Sequence, residues 1–424
     1  MKRILILLLF GFSYQLLGQT TITFKQAEQE ALEKHPISQQ REMFERIHAN
    51  EVESIQKNKL PQFNLQGQVG YFSDVVAPTD PEVAQIGLFP EIPKTQWQTY
   101  ASVDYLLYDG AIKKKRLADK DADFNIKLQE NEVSQFKIKE SVSQIYFAAL
   151  SYQEQELLIK EGVIKEIENQ LKEIETLEKG GVVLPNTTDA LRVEYHKAKQ
   201  KLLSIQAQKK GALRVLGIWL ERENEWNEFV LVRPTILNQN STAINRPELK
   251  MYQLQSSKMD RSKDLLQTER MPKISLYALG GYGNPNPYNF FEINGDTFYQ
   301  FGVRVKWSPF DYGKNKKERQ ITQIQKEVID SELETFNKSL NIQISQIQSR
   351  IDQLNSLILE DHEIIKIHER KTKRSKGALD NGAVTSSEYI SSLNAMVDAK
   401  LNLSNHELEL LQTQYHLAMT KGLL

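Results

Sequence analysis

Tyr299 to Gln320 reads YQFGVRVKWSPFDYGKNKKERQ, and Trp97 to Ala118 reads WQTYASVDYLLYDGAIKKKRLA. The two stretches align without a gap at an offset of 202, placing Trp97 on Tyr299, Tyr105 on Trp307 and Asp109 on Asp311. In each, an alternating, aromatic-rich segment stops at an Asp and Gly turn, and a basic, heptad-patterned segment follows. The period changes from two to between three and four across a few residues, so each stretch marks a strand handing over to a long helix.

Working outward, each strand has a companion upstream. Phe63, Leu65, Gly67, Val69 and Tyr71 alternate with Gln62, Asn64, Gln66, Gln68 and Gly70. Trp97, Val103, Tyr105 and Leu107 oppose Gln98, Ser102 and Asp104, and Ile274, Leu276, Ala278, Gly280 and Tyr282 share one face. In the last strand Tyr299, Phe301, Val303, Val305 and Trp307 oppose Gln300, Gly302, Arg304 and Lys306. Each strand is about ten residues, the length of a tilted transmembrane strand, with one apolar and one wet face.

The helices are too long for a compact domain. From Asp109 to about Lys179 there is no proline, a segment of roughly 100 Å at ~1.5 Å per residue. It ends at the break Gly180-Gly181, and a return helix carries Leu191, Tyr195, Ala198, Leu202, Ile205, Ala212, Leu216 and Trp219 in steps of three and four, with Lys209 the exception. After Asp311 the seam is Leu340, Ile344, Ile347, Ile351, Leu354 and Ile358, and the break comes at Asn381-Gly382. Gly180 and Gly382 are again 202 apart. Pro36 to Pro61 and Pro247 to Pro272 are both 25 apart.

The expected organisation is therefore a duplication. A signal peptide covers 1–18, with Lys2-Arg3, an apolar run from Ile4 to Phe12 and cleavage after Gly18. The first repeat is 19–220, with strands about 62–72 and 96–108 and a helical hairpin 109–220. A connector follows at 221–245. The second repeat is 246–424, with strands about 273–283 and 297–308 and a hairpin 311–420. The fold class is a mixed α and β membrane protein.

Composition narrows the function. The formal net charge of −1 argues against nucleic acid as a partner. Past the first 20 residues no apolar run is long enough for a spanning helix, which says nothing against a barrel. With no cysteine there is neither disulfide nor thiolate metal site. His362 and His368 are six apart rather than the four of a zinc helix, and no helix follows Gly280-Gly281-Tyr282-Gly283, so neither a metal nor a phosphate cofactor is expected. The lysines at 113–115 and the basic run 314–317 suit anionic lipid headgroups below a membrane edge. Four strands cannot close a barrel, and unsatisfied edge amides cannot stand in lipid, so the sheet is expected to be shared between copies. Trp97, Tyr105 and Trp307 suit its interfacial aromatic girdles, and Asp104, Arg304 and Lys306 its lumen.

The ordered set of signal, duplicated helix–strand–strand–helix unit, Asp-Gly junctions and Gly-containing hairpin tips resembles the TolC family of outer-membrane channels over essentially the whole mature chain. The resemblance implies a homotrimer with a twelve-stranded β-barrel continuous with an α-helical coiled-coil tube, in the outer membrane of a Gram-negative bacterium and extending into the periplasm. It implies a passive, non-enzymatic conduit for efflux or type I secretion, working with a periplasmic adaptor and an inner-membrane transporter of the RND or ABC type. Adaptor docking falls on the tips, Gly180, Gly181 and Gly382. The periplasmic entrance falls on Thr188, Asp189, Glu388 and Ser391, where Thr188-Asp189 matches the family's Thr-Asp step and Glu388 an acidic position. Ser391 stands where the best-known member has a second ring Asp, and Val384 where it has a gating Arg. The alternatives are an exported coiled-coil scaffold or adhesin, or a periplasmic adaptor, neither of which needs four two-faced strands.

Overall fold

A computed structural model describes residues 20–76, 82, 90–181, 184–235, 243–289 and 292–424. The expected signal segment and its cleavage point lie outside the described residues, as do 182–183 of the first tip and 236–242 of the connector. The chain divides into two units, one of residues 41–130 and 248–335, the other of residues up to 40, 131–247 and 336–424.

The first of these units is built around one antiparallel sheet. Its strands are β2 (Gln62–Tyr71), β3 (Thr95–Tyr108), β5 (Lys273–Asn284) and β6 (Asp296–Lys306), in the order β2-β3-β5-β6. The labels β1 and β4 belong to two short strands of the other unit, Thr20–Ile22 and Phe229–Leu231. Register sets Gln62 opposite Asp104, Asp104 opposite Tyr277 and Tyr277 opposite Gly302, so one row crosses the whole sheet. Most of α2 (Ile37–Lys57) and α6 (Pro247–Gln267) belong to this unit, as do the starts of α3 (Ile112–Leu157) and α7 (Lys314–Asp380). These helices are tied by ion pairs, Lys120 to Glu51 at 2.7 Å and Lys326 to Asp260 at 2.6 Å. Exposed pairs of this kind contribute only ~0–1 kcal/mol each.

Asp109 and Asp311 act as N-caps of α3 and α7. Asp109 accepts from the amides of Ala111 (2.9 Å) and Lys113 (3.0 Å), and Asp311 from those of Gly313 (3.1 Å) and Asn315 (3.0 Å). Each satisfies two amides that a helix start leaves without partners. The Asn315 and Gly313 amides hold the Asp311 carboxyl below its ordinary range. Between cap and helix, two consecutive residues are left-handed: Gly110 (φ 69°) and Ala111 (φ 66°), then Tyr312 (φ 50°) and Gly313 (φ 87°).

The other unit holds the hydrophobic core. Here α1 (Phe24–Lys34) starts from a capping box, with Thr23 and Gln26 bonding each other's backbone amides at 3.3 and 3.0 Å. Pro36 stops it. Phe24 packs on Tyr146, Phe147 and Tyr415 with ring centroids 5.4, 5.5 and 4.9 Å away. The parallel pair β1–β4 is pinned by the Tyr146 hydroxyl, which lies 2.9 Å from Ile22 O and 2.7 Å from Val232 O.

The proline-free segment expected as one helix from 109 to 179 is interrupted. A π-helical stretch, Leu158–Ile164, separates α3 from α4 (Lys165–Lys179). Its wider turn buries Ile159, Val163 and Ile164 together in a cluster with Leu191 and Ile205 of α5 (Pro185–Trp219) and Tyr389 and Leu393 of α8 (Ser386–Thr420). The heptad exception Lys209 also has a cause: its ammonium meets Glu156, which takes a second bond from Gln206 at 2.8 Å. Burial alone would raise the Glu156 carboxyl, but these two donors outweigh it and hold the group below its ordinary value.

Candidate functional site

The two faces of the sheet differ in chemistry and in exposure. Phe63, Leu65 and Val69 are 77, 82 and 74% exposed, and Tyr299, Phe301, Val303 and Val305 stand out in the same way on β6. Along β3 the polar residues Gln98, Ser102 and Asp104 are half-buried while the apolar-face residues Trp97 and Tyr105 are exposed. A sheet folded for water would bury the apolar face and solvate the other. On β3 the relation is reversed, and on β2 and β6 the apolar residues are as exposed as the polar ones beside them.

Asp104 and Arg304 are brought together on the polar face. The guanidinium spans β5 to reach Asp104 at 3.1 Å and lies over the Tyr277 ring, 4.6 Å from its centroid. The Tyr277 hydroxyl accepts from Gln300 Nε2 at 3.1 Å, and the Tyr288 hydroxyl donates to Gln300 Oε1 at 2.9 Å. The pair is thus neutralised within the chain rather than presented as two free charges. Lys306 ends β6 opposite Lys273 and is exposed, outside this network.

Sequence reasoning missed three members of this face. Tyr100 sits among the polar residues of β3, and Phe298 faces it across Gly281 with ring centroids 6.3 Å apart. A Cβ on Gly281 would lie 2.1 Å from Thr99 O and 2.5 Å from Tyr100 Cβ. Tyr277 likewise covers Gly302, where a Cβ would meet its ring at 3.0–3.2 Å. The signal was a glycine opposite an aromatic in adjacent strands, which register reveals and periodicity does not.

The girdle residues fall at opposite ends of the sheet. Trp97 pairs with Val69 and Asn284 and packs on Tyr282, with ring centroids 5.7 Å apart. Tyr105 lies eight residues along β3, about 26 Å away at ~3.3 Å per residue. Trp307, just beyond β6, donates its indole N–H to Arg270 O at 3.1 Å and stays exposed.

At the hairpin ends, α4 stops at Lys179 and α5 starts at Pro185, α7 stops at Asp380 and α8 starts at Ser386, and Gly181 (φ 74°) and Gly382 (φ 69°) are left-handed. The acids differ because they enter the return helices at different depths. Glu388 lies in the first turn of α8 and closes a capping box with Thr385, accepting its amide at 3.2 Å. Asp189 is exposed and meets Arg192 at 3.3 Å. Ser391 is exposed one turn further along α8. Thr188 is 1% exposed, with its hydroxyl donated to Glu178 inside the hairpin. Its neighbour Asp189 projects away because successive helical residues point about 100° apart.

The fold is that of the TolC-like outer-membrane channels. The chain is similar to the outer membrane protein VceC of Vibrio cholerae, with TM-score 0.70 and 11% identity over 94% of this chain and 96% of that one. It is similar to the MtrE outer membrane channel of Neisseria gonorrhoeae in its open state, with TM-score 0.65, 12% identity, and 94% and 88% covered. The CmeC outer membrane channel of Campylobacter jejuni gives TM-score 0.65, 13% identity, and 94% and 85% covered. No family model matches the sequence, and no curated protein matches it.

Proposed function

We propose that this protein is an outer-membrane channel of a tripartite efflux or type I secretion system, a passive and non-enzymatic conduit whose barrel is shared by three copies. The observation that carries the reading is the sheet's exposed apolar face combined with its two open edges. Three successive antiparallel pairings make β2 and β6 run in opposite directions. The β6 edge of one copy can therefore pair antiparallel with the β2 edge of the next, and three copies give twelve strands with no edge left in lipid. Unpartnered seams on the helices support the same assembly: Ile321, Ile324 and Val328 follow steps of three and four on α7 and are all about half exposed. The recurrence of strand, Asp cap, left-handed pair and long helix supports a duplicated unit.

The polar faces would line the lumen, and Asp189 and Glu388 the periplasmic entrance. The tips around Gly181 and Gly382 would meet a periplasmic adaptor, which couples the conduit to an inner-membrane transporter. A soluble coiled-coil scaffold would have no use for a sheet with its apolar face outward. Fractionation followed by planar-bilayer recording tests the proposal. We expect a trimer in the outer membrane, with discrete conductance steps whose cation preference weakens in an Asp189→Asn, Glu388→Gln double variant. A soluble monomer would refute the channel, and unchanged ion preference would refute the entrance assignment.

A further inference from the structure

The polar face of the sheet is sorted by charge along its length. On β6 the residues of this face run from Asp296 through Phe298, Gln300, Gly302 and Arg304 to Lys306. Asp296 and Lys306 bound the strand, about 33 Å apart at ~3.3 Å per residue. At the Lys306 end, the direct register partner on β5 is Lys273. Like charges set opposite each other in an antiparallel pair destabilise it.

The chain supplies no counter-charge for this pair. Among the described residues neither ammonium has an ion-pair partner. Lys306 is exposed and Lys273 is half-buried. The strands place two carboxylates on this face. Asp296 is at the far end of β6, and Asp104 is already held by Arg304 at 3.1 Å. The β2 edge, which would meet β6 of a neighbouring copy, presents Gln62, Asn64, Gln66 and Gln68 on the polar face and no acid. Closing the barrel therefore multiplies the positive charge at this end and does not cancel it.

We propose that Lys273 and Lys306 form a ring at one end of the barrel lumen, two ammoniums from each copy, that binds multivalent oxyanions. The proposal rests on the channel reading and deepens it by naming a class of solute. Rings of lysine or arginine favour anions and phosphates in pores, and a low-dielectric wall focuses their field. Lysine is a point charge with rotatable donors, not a fixed fork, so such a ring selects charge density and not shape. A solute with several phosphate or carboxylate groups reaches ammoniums of more than one copy at once, and a single small anion does not.

Tripolyphosphate and orthophosphate are the probes, added to the protein in planar bilayers and titrated by calorimetry into the intact detergent-purified protein. Tripolyphosphate should block conductance and bind about tenfold more tightly than orthophosphate, and both effects should weaken steeply as salt is raised. The double variant Lys273→Gln, Lys306→Gln should still form conductance steps while losing about tenfold in block and in binding. Removing the same charge from the basic run after Asp311, in Lys316→Gln, Lys317→Gln, should change neither by more than about twofold. Asp104→Asn, which leaves Arg304 unpaired, should strengthen the block. Lys273→Gln alone should raise the unfolding midpoint, because the repelling pair is gone. No binding, no preference over orthophosphate, block that survives in the Lys273, Lys306 variant, or an equal loss in the Lys316, Lys317 variant would each overturn the ring. A channel that conducts and ignores tripolyphosphate leaves the channel reading standing; a protein that forms no conductance steps refutes that reading and the ring with it.

Discussion

The two places where strand becomes helix use the same backbone and different residues. At the first, Asp109 is followed by Gly110 and Ala111; at the second, Asp311 is followed by Tyr312 and Gly313. Both Asp residues cap, and both following pairs are left-handed, but the glycine occupies the first position in one and the second in the other. The surroundings account for part of this. A Cβ on Gly110 would meet Met271 Cβ at 2.6 Å, whereas one on Gly313 would meet nothing within 4 Å. The first junction has glycine where another part of the chain approaches closely. At the second, Tyr312 takes the equivalent position and is fully exposed. Shape is common to the two junctions, and the position of glycine is set by neighbours.

The largest test of that contrast is a matched pair of substitutions. Gly110→Ala should lose about 2–4 kcal/mol, from the left-handed penalty together with overpacking against Met271. Gly313→Ala should lose about 1 kcal/mol, from the penalty alone. Denaturant midpoints in detergent would measure both, and equal losses would break the comparison.

The caps should behave alike at neutral pH. Asp109→Ala and Asp311→Ala should each lose stability to a similar extent, as removal of a helix cap does. For Asp311 the pH direction follows from its lowered carboxyl. The folded state holds that proton less tightly than the unfolded chain, so the cap's contribution is present above the ordinary value of 3.8 and is lost as pH falls through the lower folded value. Unfolding midpoints of wild type and Asp311→Asn should therefore converge on acidification, and a constant gap down to about pH 2 would contradict the assignment.

The smallest effect should come from relieving strain. Tyr312→Gly should gain about 0.5 kcal/mol, since glycine accepts φ 50° at less cost than tyrosine, less its own entropic penalty. A loss in detergent would mean the exposed ring makes contacts within the protein that one chain does not contain. The same substitution assayed in lipid should lose the gain if the ring sits at the membrane interface.

How much of this was legible depended on whether the determining contact was local. The alternation from Phe63 to Tyr71 and the seam from Leu340 to Ile358 announce strand and helix because each residue's partner is fixed by a short period. The Asp junctions are legible because a cap acts within four residues. The burial of Thr188 was not legible because its partner Glu178 lies across the hairpin turn. The π-helical stretch leaves no composition signal, since it arises from three branched residues packing against two other helices. Lys209 appeared as a flaw in the seam because Glu156 lies 53 positions away. On the sheet, the spacing showed that Asp104 and Arg304 share a face, and only the register showed that they meet.

The core around Phe24 also constrains the order of events during biogenesis. It draws on Ile22 near one end of the chain and on Leu411, Tyr415 and Met419 near the other. The parallel pair β1–β4 joins segments more than two hundred residues apart. A chain delivered amino end first cannot close this core until its last helix arrives, and loops of that length fold slowly. Until then Phe24 and Phe147 lack their ring contact with Tyr415 of α8, and the apolar surface they would bury stays open.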